Sequence, residues 1–212
     1  MATSAEPSTR QQRRKARTAA AILDAAERLF LRQGYQATTI EQLAEEADVA
    51  VGSLYIHFGS KPGIYAALID RALELDKQYS DEGWEQGEDP VGRVVGIADG
   101  YLKFARHHPG LFRIFRFPPP DAPADGPVAS ASERVSARIR SETSRIAAAL
   151  QQAIDEGTLR DLEPSRAAIF LWAAWDGLIA AHVLPGNMGL SDKQFNQVME
   201  FGREALTRAL LV

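Results

Sequence analysis

"TTIEQLAEEADVAVGSLYIHF", residues 38–58, reads as two short helices with a turn between them, and the fold follows from it. Thr39 has an N-cap side chain, so a first helix starts at Ile40 and runs to about Ala47, with Leu43 and Ala44 facing inward. Asp48-Val49-Ala50 makes a tight turn, and Val51 to His57 forms the second helix. Two short helices joined by about three turn residues make a helix-turn-helix, whose second helix enters the DNA major groove. Val51, Gly52 and Ser53 occupy the groove-facing end of that helix. Small residues there permit close approach, a serine can hydrogen-bond a base edge, and a valine can touch a thymine methyl.

Outward from this stretch the chain stays helical. Apolar residues recur at spacings of three and four, and no alternating strand pattern persists. Upstream, Ile22, Ala25, Ala26, Leu29 and Phe30 form one apolar stripe on a helix from Thr18 that stops near Gly34. Downstream, Lys61-Pro62 opens a longer helix with Ile64, Leu68, Ile69, Ala72 and Leu75 inward. A break is expected over Gly83–Asp89, then a helix from Pro90 interrupted at His108-Pro109-Gly110, then an aromatic segment. The stretch "PPPDAPADGP", residues 118–127, reads as a loop, and a long amphipathic helix follows from about Val128 to Glu156. Two further helices fill about 164–184 and 191–211. The fold class is all-α: a flexible basic arm (1–17), a three-helix helix-turn-helix domain (18–62) and a larger helical region (63–212).

Composition narrows the function. Of 212 residues, 45% are hydrophobic, enough for a sizeable core. The absence of cysteine excludes disulfides and thiolate chemistry. No apolar run approaches the ~18–20 residues that cross a bilayer, and the first residues lack the apolar stretch of a signal peptide, so a cytoplasmic protein is expected. The net charge of −4 is unevenly placed: Arg10, Arg13, Arg14, Lys15 and Arg17 stand against Glu6 near the N-terminus. A basic arm on an acidic body suggests that one end meets a polyanion. Ser53 and His57, one helical turn apart, lack an orienting acid and oxyanion donors, so no catalytic residue is assigned. Among His107, His108 and His182, the adjacent pair diverges on a helix and no carboxylate sits at chelating spacing. Neither a metal nor a cofactor is expected.

The elements Ile22, Ala25-Ala26, Leu29-Phe30, Gly34-Tyr35, Thr38-Thr39, Leu43-Ala44, Leu54-Tyr55, His57-Phe58 and Ser60-Lys61 fall within residues 21–69. In their combined spacing this stretch resembles the N-terminal domain of the tetracycline-repressor (TetR) family of bacterial transcriptional regulators. The resemblance implies that Leu54 and Phe58 anchor the second helix in the core, and that Thr39, Tyr55, His57 and Lys61 hold phosphates of double-stranded DNA; the side chains of these four are all phosphate donors. It also implies a homodimer through the helices at about 164–184 and 191–211, matched to a palindromic operator. Three positions depart from the family pattern: Ala47-Asp48 replaces Ala-Gly in the turn, Ala50 replaces a serine cap, and Pro62 replaces glutamate after the lysine. Losing the cap costs about 1 kcal/mol of local helix stability.

The larger region is expected to bind an effector and to dimerise. Tyr101, Phe104, Phe112, Phe115, Trp172 and Trp175 are candidates to line an apolar cavity, with Asp176 or His182 as a polar anchor. Asp176 stands out, because an acid within an apolar helix needs a partner or a ligand. Gly92, Gly96 and Gly100, four apart, reflect either close helix contact or space kept for a ligand. The expected function is a DNA-binding regulator, a repressor released from its operator by a small, largely apolar effector. The alternatives are an activator or a constitutive DNA binder on the same fold, or a helical small-molecule binding or scaffolding protein without operator binding.

Overall fold

The structure is a computed structural model and describes residues 9–118, 125–183 and 189–212. Among the described residues the elements are α1 (Thr9–Gln33), α2 (Ile40–Glu46), α3 (Val51–Phe58), α4 (Lys61–Gln86), α5 (Pro90–His107), α6 (Pro109–Arg116), α7 (Pro127–Asp155), α8 (Pro164–Val183) and α9 (Asp192–Leu210). The chain divides into two compact units, Met1–Arg71 with Phe117–Ser132, and Ala72–Arg116 with Glu133–Val212. Helices α4 and α7 contribute residues to both. The first unit therefore runs beyond the expected boundary at residue 62. The expected arm at 1–17 is also partly a helix: residues 9–17 form the opening turns of α1, while 1–8 lie outside the described residues. Good helix formers with no glycine or proline from Thr9 to Gln33 account for that continuity.

In the first unit, Ile22, Ala25, Ala26, Leu29 and Phe30 of α1 are buried, as are Leu43, Ala44, Leu54, Ile64, Leu68 and Ile69. Thr39 caps α2 reciprocally. Its hydroxyl accepts from the Gln42 amide at 3.2 Å, and Gln42 Oε1 accepts from the Thr39 amide at 3.0 Å. Gln33 of α1 donates to the same Oε1 at 2.9 Å and so ties α1 to the cap. The turn into α3 places Asp48 at φ +52, the left-handed region that favours glycine. Ala50 precedes α3 in extended conformation with no side-chain cap. Gly63 lets α4 begin hard against α3: a Cβ there would stand 2.0 Å from the Phe58 carbonyl oxygen.

In the second unit, α4 and α5 meet through glycines. A Cβ on Gly96 would lie 1.9 Å from the Gly83 carbonyl oxygen, and one on Gly100 would lie 2.2 Å from that of Tyr79. Close helix contact therefore explains Gly96 and Gly100, while Gly92 meets nothing nearer than the Asp89 cap at 3.4 Å. The break expected from Gly83 is shorter than predicted, because α4 continues to Gln86 and Gly83 is part of that contact. Of the predicted loop at 118–127, Pro118, Asp125 and Gly126 are non-helical, Pro127 opens α7, and 119–124 lie outside the described residues.

The interior of the second unit also carries charge. Asp76 (α4) accepts from Arg138 (α7) at 3.1 Å, and Arg138 pairs with Glu142 at 2.5 Å. Arg145 reaches Asp81 at 2.6 Å. Asp176 (α8) accepts from the Tyr101 hydroxyl at 2.8 Å and from the Arg116 guanidinium. Burial pushes the Asp76 carboxyl up to about 6 even though Arg138 opposes it, and it raises Glu142 in the same direction. Burial, and then the Asp176 charge, drive Tyr101 well above its ordinary value.

Asp48→Gly should stabilise the chain by about 0.5–1 kcal/mol, because the left-handed conformation no longer opposes a Cβ; lower stability in urea denaturation would refute that. A carboxyl whose folded pKa is raised contributes stability that is present below its unfolded value of 3.8 and lost as pH rises through about 6. Wild type should therefore gain stability relative to Asp76→Asn as pH falls from neutrality towards 4, and a pH-independent difference in denaturation midpoint would contradict the assignment.

Candidate nucleic-acid interface and ligand chamber

The eight residues of α3 separate cleanly into an inner and an outer face. Leu54 is buried and Phe58 half-buried, so the expected pair of core anchors is one full anchor and one partial one. At 3.6 residues per turn the opposite side carries Gly52 and Ile56, with Ser53 on one flank and Tyr55 on the other. Val51 is 38% exposed, Tyr55 52% and Ile56 78%. Sequence reading passed over Ile56. Its signal was an apolar residue out of step with Leu54 and Phe58. A Cβ on Gly52 would meet nothing within 4 Å, so the protein's own interior does not require glycine there. An interior helical glycine costs about 1 kcal/mol relative to alanine.

Four residues were expected on phosphates. Thr39 is exposed, and since its hydroxyl oxygen accepts from Gln42, its proton stays available for donation. Tyr55 projects outward, and His57 is half-buried beside Phe58, with ring centroids 6.0 Å apart. Lys61 departs from expectation. Its ammonium donates to the carbonyls of Tyr35 at 3.0 Å, Gln36 at 3.5 Å and Thr38 at 2.9 Å, and lies 4.4 Å from the Tyr35 ring centroid. Three donors are thereby spent on the α1–α2 connection, which leaves none for a phosphate. Burial also holds its pKa below the ordinary lysine value. The structure gives Lys61 a positioning role.

In the second unit, α5, α7, α8 and α9 border a partly open, largely apolar chamber of about 180 Å³, with Val94, Leu150, Leu171, Trp175 and Leu206 in its walls and Asp99 and Arg203 also lining it. Beside it lies a space of about 30 Å³ bounded by Asp76, Tyr101, Phe115, Arg138, Trp172 and Trp175. Ala98 and Trp175 border both. The residues predicted for the pocket therefore divide. Tyr101, Phe115, Trp172 and Trp175 border these spaces. Phe104 and Phe112 are fully buried in ring contacts with Tyr101 and with each other, and so belong to the core. Asp176 already has its partners in Arg116 and Tyr101. His182 stacks on Phe195, with centroids 4.4 Å apart, and fastens α8 to α9. Ile169 and Phe170 on α8 and Val198 and Phe201 on α9 remain exposed. No helix among the described residues is long and apolar enough to cross a membrane, and none of their acidic and histidine side chains group to hold a metal ion.

Residues 22–68 match the family described as "Bacterial regulatory proteins, tetR family", and residues 94–202 match "Tetracyclin repressor-like, C-terminal domain". The HTH-type transcriptional regulator TtgR of Pseudomonas putida is 29% identical over 181 residues, 79% of this chain and 80% of that protein. NalD of Pseudomonas aeruginosa, described as the secondary repressor of the MexAB-OprM multidrug efflux pump, superposes with a TM-score of 0.72 at 22% identity, covering 94% of this chain and 98% of that one. AibR in complex with isovaleryl coenzyme A and operator DNA superposes with a TM-score of 0.65 at 19% identity, covering 86% and 95%. With its helix-turn-helix and its helical second region each matched in place, the chain belongs to the TetR family of bacterial transcriptional regulators.

Proposed function

We propose that the protein is a homodimeric repressor that grips a palindromic operator and is released by a small, largely apolar effector. The outer face of α3 is the observation that carries the DNA reading. Gly52 and Ile56 face outward between Ser53 and Tyr55, while Leu54 holds the opposite side to the core. Val51, Gly52, Ser53 and Ile56 are the base-facing set, and Thr39, Tyr55 and His57 hold phosphates. Exposed Ile169, Phe170, Val198 and Phe201 make an apolar surface on α8 and α9 that a second copy would cover, and two-fold pairing matches a palindrome. The effector enters the chamber at Trp175, whose apolar walls select an apolar body. TtgR, NalD and the AibR complex support this reading by likeness of family and fold.

Gel shifts and sedimentation check the DNA and dimer assignments together. Tyr55→Phe should weaken dimer binding to all duplexes alike, by about thirtyfold for two missing hydrogen bonds, one per half-site, of about 1 kcal/mol each. Ser53→Ala and Ile56→Ala should instead change which duplex is preferred. Phe170→Glu should sediment as a monomer and lose cooperative binding to a palindrome. Unaltered preference in both Ser53→Ala and Ile56→Ala would sink the base-facing assignment.

The chamber has its own readout. Filling it with Leu171→Trp should abolish release of DNA by any apolar inducer found in a small-molecule screen, while operator affinity stays within about twofold, under 0.5 kcal/mol. Continued release would show that the inducer binds elsewhere.

A further inference from the structure

The first turns of α1 carry a charge pattern that the fold itself does not use. From Thr9 to Leu23 the helix holds Arg10, Arg13, Arg14, Lys15 and Arg17 and no acidic residue. Arg10, Arg13, Arg14 and Arg17 recur at i, i+3, i+4 and i+7, which places them within roughly 100° of arc. All four are exposed, and among the described residues the ion pairs made by α1 involve Asp24, Arg28 and Arg32 instead. By itself this arrangement works against the helix. Like charges one turn apart repel, and cations at a helix N-terminus face the positive end of its dipole. A local rule broken with no structural return points to a partner, and the partner complementary to four guanidinium groups is a polyanion.

The register of α1 against the helix-turn-helix says where that polyanion lies. Arg28 and Arg32 share the strip of α1 that carries the four arginines, and they meet Glu46 at the C-terminal end of α2, at 2.8 and 3.6 Å. From Glu46 the chain needs only the turn at 47–50 to enter α3, so the base-facing end of α3 starts on this side of α1. At the far end of α3, Lys61 is fastened to Tyr35, just past the C-terminus of α1. The base-facing end of α3 therefore points towards the arginine strip. At 1.5 Å per residue, Arg17 and Arg10 stand roughly 16 and 27 Å beyond Arg28 along α1, less than one turn of duplex at roughly 34 Å.

We propose that Arg10, Arg13, Arg14 and Arg17 form a second DNA-contact surface, which holds backbone phosphates just outside the half-site that α3 reads. The proposal rests on the DNA-reading assignment above. Guanidinium groups match phosphate oxygens bidentately and carry no base preference, so the surface adds affinity and salt sensitivity without changing the sequence read. Gln11, Gln12 and Ala16 supply no bulky apolar side chain beside the strip, so a membrane surface fits it poorly.

The test uses the full-length protein and the best duplex it recovers from a randomised library, once with flanks of about 10 bp on each side and once trimmed to the half-sites. Replacing Arg10, Arg13, Arg14 and Arg17 together by glutamine, which keeps helix propensity, should make the two duplexes bind alike. The slope of log K against log salt should fall by about 0.9 for every phosphate no longer neutralised, and hydroxyl-radical protection should shrink at the outer edges. The four-lysine variant should keep most of the slope. An unchanged slope with full-length protection overturns the proposal, as does loss of binding to phosphatidylserine vesicles with DNA binding intact. Failure of the wild type to select any duplex would instead overturn the DNA-reading assignment itself.

Discussion

A helix of eight residues does not persist in water by itself, so whatever α3 presents depends on how its inner face is fastened. Leu54 supplies the buried anchor, and the bare Cα of Gly63 allows α4 to start against the last carbonyl of α3. Lys61 completes the fastening. Standing directly after α3, it donates to three carbonyls of the α1–α2 connection and lies over the Tyr35 ring. The ends of α1, α2 and α3 are thus held by one ammonium, which is why its chemistry is spent inside the protein. The weak points of the module lie at the other end of α3, where Asp48 takes a left-handed turn and Ala50 offers no cap.

The second unit solves a different problem. Its α4–α5 contact is so close that glycine carbonyls stand where side chains would otherwise be, and bulk is moved to α6 and the aromatic cluster of Tyr101, Phe104 and Phe112. Charges are buried beside this core, and they persist because each is paired: Asp76 and Glu142 with Arg138, Asp176 with Arg116. Such pairs contribute little net stability, since desolvation offsets most of their attraction, but removing one partner strands the other. Trp175 stands where this polar region borders the apolar chamber.

Much of the first unit was legible because its signals are local. The Thr39 cap, the stop at Gly34, the turn at 47–50 and the stripe of Ile22, Ala25, Ala26, Leu29 and Phe30 each lie within a few residues of what they organise. Asp48 in place of glycine was visible as a departure, and its positive φ shows what the departure costs. Less legible was anything that depended on a distant partner. Lys61 looked like a free cation because the carbonyls that occupy it are 23 to 26 residues earlier. Phe104 and Phe112 looked like pocket residues because burial in a core and burial in a cavity wall demand the same apolar side chains.

The amino-acid sequence alone determined the helical class, the helix-turn-helix and the basic character of the N-terminal segment, because periodicity, capping and charge count are properties of neighbours along the chain. Only the tertiary structure decided that this basic segment is helical from Thr9, that Gly83 and Gly96 touch, that Asp176 is matched by Arg116, and that Lys61 is consumed internally. Each of those facts joins groups that are remote in sequence or turns on helix continuity. Residue type states what a side chain can bind. Which of its possible partners it meets is settled by the fold.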